Sequence, residues 1–145
     1  MTKEFKNPAA TATMIVQNEN FEILLVKRKH PPFKDMWALP GGFLNYGKET
    51  LEQTAVRELK EETCLETTIK DITLLRVASN PDRDPRGHVI DHIYVIQKYS
   101  GTAKAADDAK EIKWFSLDNL PPIAFDHMDS IKKYMAQGYY ARDKM

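Results

Sequence analysis

Glu58, Glu61 and Glu62 stand at i, i+3 and i+4 in the run Arg57-Glu-Leu-Lys-Glu-Glu-Thr63. On a helix that spacing puts three carboxylates on one face, about 5–6 Å apart at Cβ. Like charges so placed repel, and near a helix C-terminus the macrodipole disfavours them further. A sequence that bears both costs points to a bound cation. A cluster of hard oxygen donors suits Mg²⁺ or Mn²⁺. Such an ion also binds substrate phosphates, polarises phosphorus and lowers the pKa of a bound water. A carboxylate not fully used in ligation can accept that water's proton. The chemistry implied is hydrolysis of a phosphoanhydride. Taken alone, the triplet reads first as a solvated acidic face, with Arg57 and Lys60 as its counterions.

A helix over residues 50–63 must carry these side chains. Thr50 can cap it, and Gln53, three residues on, makes a capping box. Leu51, Ala55 and Leu59 give it an apolar stripe at i, i+4 and i+8. Strands are expected at 11–17, 21–28, 67–77, 88–98 and 111–115, with a short extended segment at 37–43. A last amphipathic helix is expected over roughly 126–135. This order implies an α/β fold, a mixed sheet with helices packed on it.

The remaining bounds are quickly drawn. A length of 145 residues predicts one domain, 1–145. Hydrophobic residues are 42% and charged residues 29%, which is globular chemistry rather than disorder. Lys plus Arg and Asp plus Glu are 21 each, so the net charge is +0. That argues against stable nucleic-acid binding through a global positive field. The longest clean apolar run, Ile23-Leu24-Leu25-Val26, is far short of the roughly 18 residues of a membrane span. The N-terminus lacks the apolar stretch of a signal peptide. The single cysteine, Cys64, cannot make an internal disulfide. It is expected as a packed small residue rather than a nucleophile. A cytoplasmic protein follows as the default.

The residues flanking the triplet resemble a known family. Gly42-Phe-Leu-Asn-Tyr-Gly-Lys-Glu49, then seven residues, then Arg57-Glu58-Leu59-Lys-Glu61-Glu62-Thr-Cys64-Leu65 is similar to the Nudix box. The match is complete from Glu49 through Glu62. Two departures stand out. Six residues rather than five separate Gly42 from Glu49, as if Lys48 were inserted. Cys64 replaces the last glycine, where a left-handed C-cap favours Gly. Further segments are similar to ADP-ribose pyrophosphatase-like Nudix proteins: 26–42, the loop 80–88, 107–115, and Phe125-Asp126-His127. The resemblance spans about residues 11–135.

The resemblance implies a Nudix fold, an α/β/α sandwich with a mixed β-sheet. It implies Glu58 and Glu62 as main metal ligands, with Glu61 sharing or accepting a proton and the Gly42 carbonyl as a further ligand. Which carboxylate is the base stays open. Glu49 and Arg57 would pair to orient the loop on the helix. Arg28 and Arg86 are candidate substrate contacts, as is Glu111, where many such proteins place an extra acidic group. Arginine suits bidentate contact with phosphate. His88, His127, Trp37 and Trp114 are expected to be structural. The implied reaction is Mg²⁺- or Mn²⁺-dependent hydrolysis of a nucleoside diphosphate linked to another group, ADP-ribose first, giving AMP and ribose 5-phosphate. Nucleoside triphosphates, dihydroneopterin triphosphate, nucleotide sugars and NADH fit the same box. A non-hydrolytic nucleotide-sugar sensor is the rival of another class. The complete carboxylate set, and only about ten residues after the last helix, favour the enzyme. Proteins of this kind are often homodimers, which leaves a homodimer as an open expectation. The neutral total hides a local excess: Glu49, Glu52, Glu58, Glu61, Glu62 and Glu66 crowd one short stretch. Bound divalent metal would invert that local sign for a phosphate substrate.

Overall fold

A computed structural model describes residues 6–106 and 109–138. Two sheets form its centre. Strands β1 (Ala9–Val16), β4 (Gly41–Phe43), β5 (Ile72–Ala78) and β6 (Val89–Ile96) make a mixed sheet in the order β4-β1-β6-β5. Its central pair, β1 and β6, is parallel, with Thr11 opposite Asp91. Strands β2 (Glu22–Arg28), β3 (Trp37–Ala38) and β7 (Ala109–Ser116) make an antiparallel sheet in the order β3-β2-β7. The extended segment expected at 37–43 is thus split. It leaves one sheet and enters the other at Leu39-Pro40.

Helix α1 (Leu51–Thr63) packs on one face of β1. The period-2 alternation of β1 sends Ala12, Met14 and Val16 to a cluster with Ala55 and Leu59 of the helix. Ile15 goes to the opposite cluster, with Ile23, Leu25, Ile93 and Val95. There helix α2 (His127–Ala136) contributes Ile131 and Tyr134. Trp37 packs against this second cluster, edge-on to Phe115 at 4.9 Å. No described helix is long and apolar enough to cross a membrane.

The capping box forms: the Gln53 N–H donates to Thr50 Oγ1, and the Thr50 N–H donates to Gln53 Oε1. The strand expected from residue 67 begins only at Ile72. Residues Ile69–Asp71 instead make a single 3-10 turn. The Thr68 hydroxyl donates to the Asp71 carboxylate, and the Asp71 N–H donates to the Thr68 carbonyl. Local side-chain bonding of this kind competes with a strand ladder.

Cys64 is exposed rather than packed, contrary to expectation. Its position follows from the helix end. It is the C-cap of α1, in the left-handed region at φ 66, and its N–H donates to the Lys60 carbonyl. The buried residue is the next one, Leu65. A side chain in that region carries strain that glycine avoids. Cys64→Gly is therefore expected to stabilise the fold by about 0.5–1 kcal/mol, net of glycine's extra freedom in the unfolded chain. Urea unfolding measures it; a lower midpoint would contradict the strain argument.

Candidate active site

The box carboxylates are placed by α1 and by the two strands it covers. The Gly41 N–H donates to Glu62 Oε1 at 2.7 Å, tying the helix to the start of β4. Gly42 lies directly over Glu58. A Cβ there would stand 2.2–2.5 Å from the three carboxylate atoms, so only glycine leaves the carboxylate room.

Arg57 gathers the remaining charges. Its guanidinium donates to both oxygens of Glu49 at 3.0 and 2.7 Å. It also donates to Glu58 at 2.8 Å, to Glu61 at 3.0 Å and to the Phe43 carbonyl at 3.0 Å. The guanidinium is thus the counterion for two of the three box carboxylates. Lys60 instead pairs with Glu66 at 2.9 Å. The extra residue of the loop is absorbed in a tight turn. The Lys48 N–H donates to the Asn45 carbonyl, with Gly47 at φ 73, so Glu49 still reaches Arg57.

The hydrogen bonds from Arg57, outweighing the effect of burial, hold the Glu49 carboxyl down from the usual 4.5 to about 2. The folded state therefore keeps Glu49 ionised where the unfolded chain takes up a proton. The stability this pair contributes is complete above pH 4.5 and is lost as pH falls through about 2. Glu49→Gln should flatten the pH dependence of the urea midpoint in that window. An unchanged slope would rule the pair out as a contributor.

Glu58, Glu61, Glu62 and Gly42 line one cleft, with a cavity of 430 Å³. Arg28 and Arg86 line it too. Glu49 and Arg57 are not part of that lining; Arg57 reaches it through its bonds to Glu58 and Glu61. Glu111 is not brought in: it is exposed on β7, opposite Lys27. Arg28 donates from Nε to the Pro32 carbonyl at 2.7 Å. Arg86 is held by Asp84, from Nε at 3.1 Å and Nη2 at 2.8 Å. Burial alone would raise the Asp84 carboxyl, but its hydrogen bonds from Arg86 outweigh this and keep it below the ordinary range.

A buried ionic group forms part of the lining that sequence reasoning missed. Asp91 accepts at Oδ1 from the hydroxyls of Thr11 at 2.9 Å and Thr13 at 2.7 Å. Its Oδ2 is buried without a hydrogen bond, 3.6 Å from Arg83 Nη2 and 3.8 Å from His127 Nε2. Arg83 is pinned by both oxygens of Asp126, at 3.0 and 2.7 Å. Burial holds the His127 imidazole below its ordinary pKa and hence neutral. Its Nδ1 accepts the Leu39 N–H at 3.1 Å, so the ring proton sits on Nε2, facing Asp91. His88, by contrast, is exposed and pairs with the Ser79 carbonyl. One signal for Asp91 was present in the sequence: a carboxylate inside the apolar run Val89-Ile-Asp-His-Ile-Tyr-Val-Ile96.

Among the described residues no three acidic, histidine or cysteine side chains gather round one point. The donors nevertheless suit a divalent cation. They are three carboxylates of hard oxygen at one cleft, with Gly42 leaving the approach to Glu58 open.

Comparison with known proteins places the chain in a family. The NUDIX domain model matches residues 7–137. An ADP-ribose pyrophosphatase of Methanocaldococcus jannaschii is 51% identical over 131 residues, 90% of this chain and 75% of that protein. The crystal structure of a MutT/nudix family protein from Enterococcus faecalis superposes with a TM-score of 0.86 at 31% identity. It covers 96% of this chain, which spans 65% of that one. The NUDIX domain of Shewanella oneidensis NrtR, solved with ADP ribose, superposes with a TM-score of 0.82 at 29% identity, covering 92% of this chain and 90% of that one. With a family match over nearly its whole length and the box carboxylates gathered at one cleft, this chain belongs to the NUDIX domain family.

Proposed function

We propose that this Nudix protein is a Mg²⁺-dependent pyrophosphohydrolase that cleaves ADP-ribose with water to AMP and ribose 5-phosphate. The observation that carries the reading is the cleft itself: Glu58, Glu61 and Glu62 line it together with the guanidinium side chains Arg28 and Arg86. Its choice of ADP-ribose leans on the 51% identical relative of that name.

Glu58 and Glu62 would hold the cation, with Glu61 and the Gly42 carbonyl as further oxygen donors. Bound there, Mg²⁺ or Mn²⁺ supplies charge neutralisation for the pyrophosphate and acidifies water. The protein's own part is orientation and charge. Arg57 fixes the directions of Glu58 and Glu61. Gly41 fixes Glu62. Arg28 and Arg86 meet the pyrophosphate oxygens, which are acceptors only, with guanidinium groups that the Pro32 carbonyl and Asp84 already hold in place. A box carboxylate takes the proton of the attacking water. Glu111 has no part in this scheme. The reading also takes residues 1–145 as one domain, located in the cytoplasm, without stable nucleic-acid binding.

The test is a panel of phosphoanhydrides incubated with Mg²⁺, products identified by mass. AMP and ribose 5-phosphate from ADP-ribose, abolished by EDTA and restored by Mg²⁺ or Mn²⁺, is the expected result. Faster turnover of a nucleoside triphosphate or nucleotide sugar would overturn the substrate. Binding of ADP-ribose with no turnover of any compound would overturn the enzyme.

A further inference from the structure

Phe125-Asp126-His127 stands out in the sequence, yet it lies far from the box. In the fold each of its three residues contacts residues that line the cleft. His127 accepts the N–H of Leu39, two residues before Gly41. Asp126 holds Arg83 of the loop 80–88. Phe125 lies under two guanidinium groups. The Arg28 carbon is 4.9 Å from its ring centre and the Arg86 carbon 5.6 Å. Arg28 ends β2, and Arg86 belongs to the loop before β6, so one ring joins two segments that are remote in sequence.

The ring is itself firmly placed. Phe125 adopts φ 55, a left-handed conformation that a bulky side chain takes only when its surroundings impose it. Phe33, also left-handed at φ 61, meets it edge-on at 4.8 Å. The Ala124 N–H before it donates to the Trp37 carbonyl at 2.8 Å. Arg86 carries a second ring contact, with Phe43 at 4.8 Å on the box side. A guanidinium over an aromatic face hydrogen-bonds in its own plane, as Arg28 does to the Pro32 carbonyl and Arg86 to Asp84, while the face contact limits its motion.

We infer that Phe125 is a positioning residue that sets the places of Arg28 and Arg86 together, so that both present their donors to one pyrophosphate. This rests on the reading above, in which those two arginines meet the substrate. Holding both guanidinium groups beforehand lowers the ordering cost of binding.

A double-mutant cycle tests it. In the wild-type background, Arg28→Ala and Arg86→Ala should each raise KM for ADP-ribose about tenfold, as loss of a charged hydrogen bond implies. Phe125→Leu should raise KM by about as much with a smaller effect on kcat, and Phe125→Tyr, which keeps the ring, should restore it. In the Phe125→Leu background each arginine substitution should then cost less than about threefold, because the pairs are coupled. Full cost in both backgrounds would overturn the inference. Phe125→Met serves as the ring-free variant if leucine impairs folding. The substrate-free protein provides an independent readout. The NMR signals of the Arg28 and Arg86 Nε–H groups should carry a ring-current shift that Phe125→Leu removes at Arg28 and lessens at Arg86, which keeps its contact with Phe43. Unmoved signals would overturn the inference. Failure of the wild type to cleave ADP-ribose would overturn the function reading, while the NMR result would still decide the positioning role.

Discussion

Glu62→Gln is expected to lower kcat for ADP-ribose by about 10³-fold while leaving the fold intact. Glutamine has the shape of glutamate, and its amide oxygen can still accept the Gly41 N–H that Glu62 Oε1 accepts at 2.7 Å. The tie between α1 and β4 therefore survives. What disappears is one negative charge and one group able to take a proton. Both are needed where three carboxylates line a cleft that receives a polyanion. Unfolding curves for the two proteins should coincide, and the loss should appear in kcat at saturating substrate. Near-wild-type turnover would sink the assignment of Glu62 to the metal site.

Adjacent glycines give the second large effect, and they should fail in different ways. Alanine at Gly42 would place its Cβ 2.2–2.5 Å from the Glu58 carboxylate. A carboxylate is the free end of a flexible side chain, so it can swing aside at little cost to folding. In doing so it leaves the position from which it accepts Arg57 Nη1 at 2.8 Å. A displacement of about 1 Å at a reacting centre costs on the order of 10²-fold, so kcat/KM should fall by that factor with the unfolding midpoint little changed. Alanine at Gly41 would instead meet the Ala12 carbonyl oxygen at 2.5 Å and Thr13 Cα at 2.9 Å. Those are backbone atoms of the central strand and cannot step aside. Gly41→Ala should therefore destabilise the fold by about 1–3 kcal/mol, as overpacking does, and lose activity in proportion. Urea unfolding and the ADP-ribose assay on both variants separate the cases. Full activity in Gly42→Ala would show that Glu58 does not need its observed position.

The box was legible because everything in it is local. Thr50 and Gln53 are three residues apart, and the carboxylates repeat at helical spacing, so a single helix suffices to place them. The Glu49 pair with Arg57 was expected from the resemblance to the Nudix box, and it forms between residues eight apart across one turn and the start of one helix. Cys64 shows the limit of that reading. Its type suggested packing, yet its backbone position at the helix end put it outside. Glu111 shows another: its strand was expected, but a strand's partner decides where its side chains end up, and this one stands exposed opposite Lys27.

From sequence alone came the helix, its cap and the carboxylate face, and the resemblance of the flanking residues to the Nudix box turned that face from a solvated surface into a phosphoanhydride site. The folded chain decided which charges meet. Asp91 is brought beside Thr11 and Thr13 by the parallel register of β1 and β6, some 80 positions apart in the chain. Asp126 reaches Arg83 across 43 positions, and Phe125 reaches both Arg28 and Arg86. Helix spacing is set by a repeat of 3.6 residues that any short stretch reveals. Strand register and loop docking follow from how whole apolar faces bury one another, and no window of a few residues contains that information.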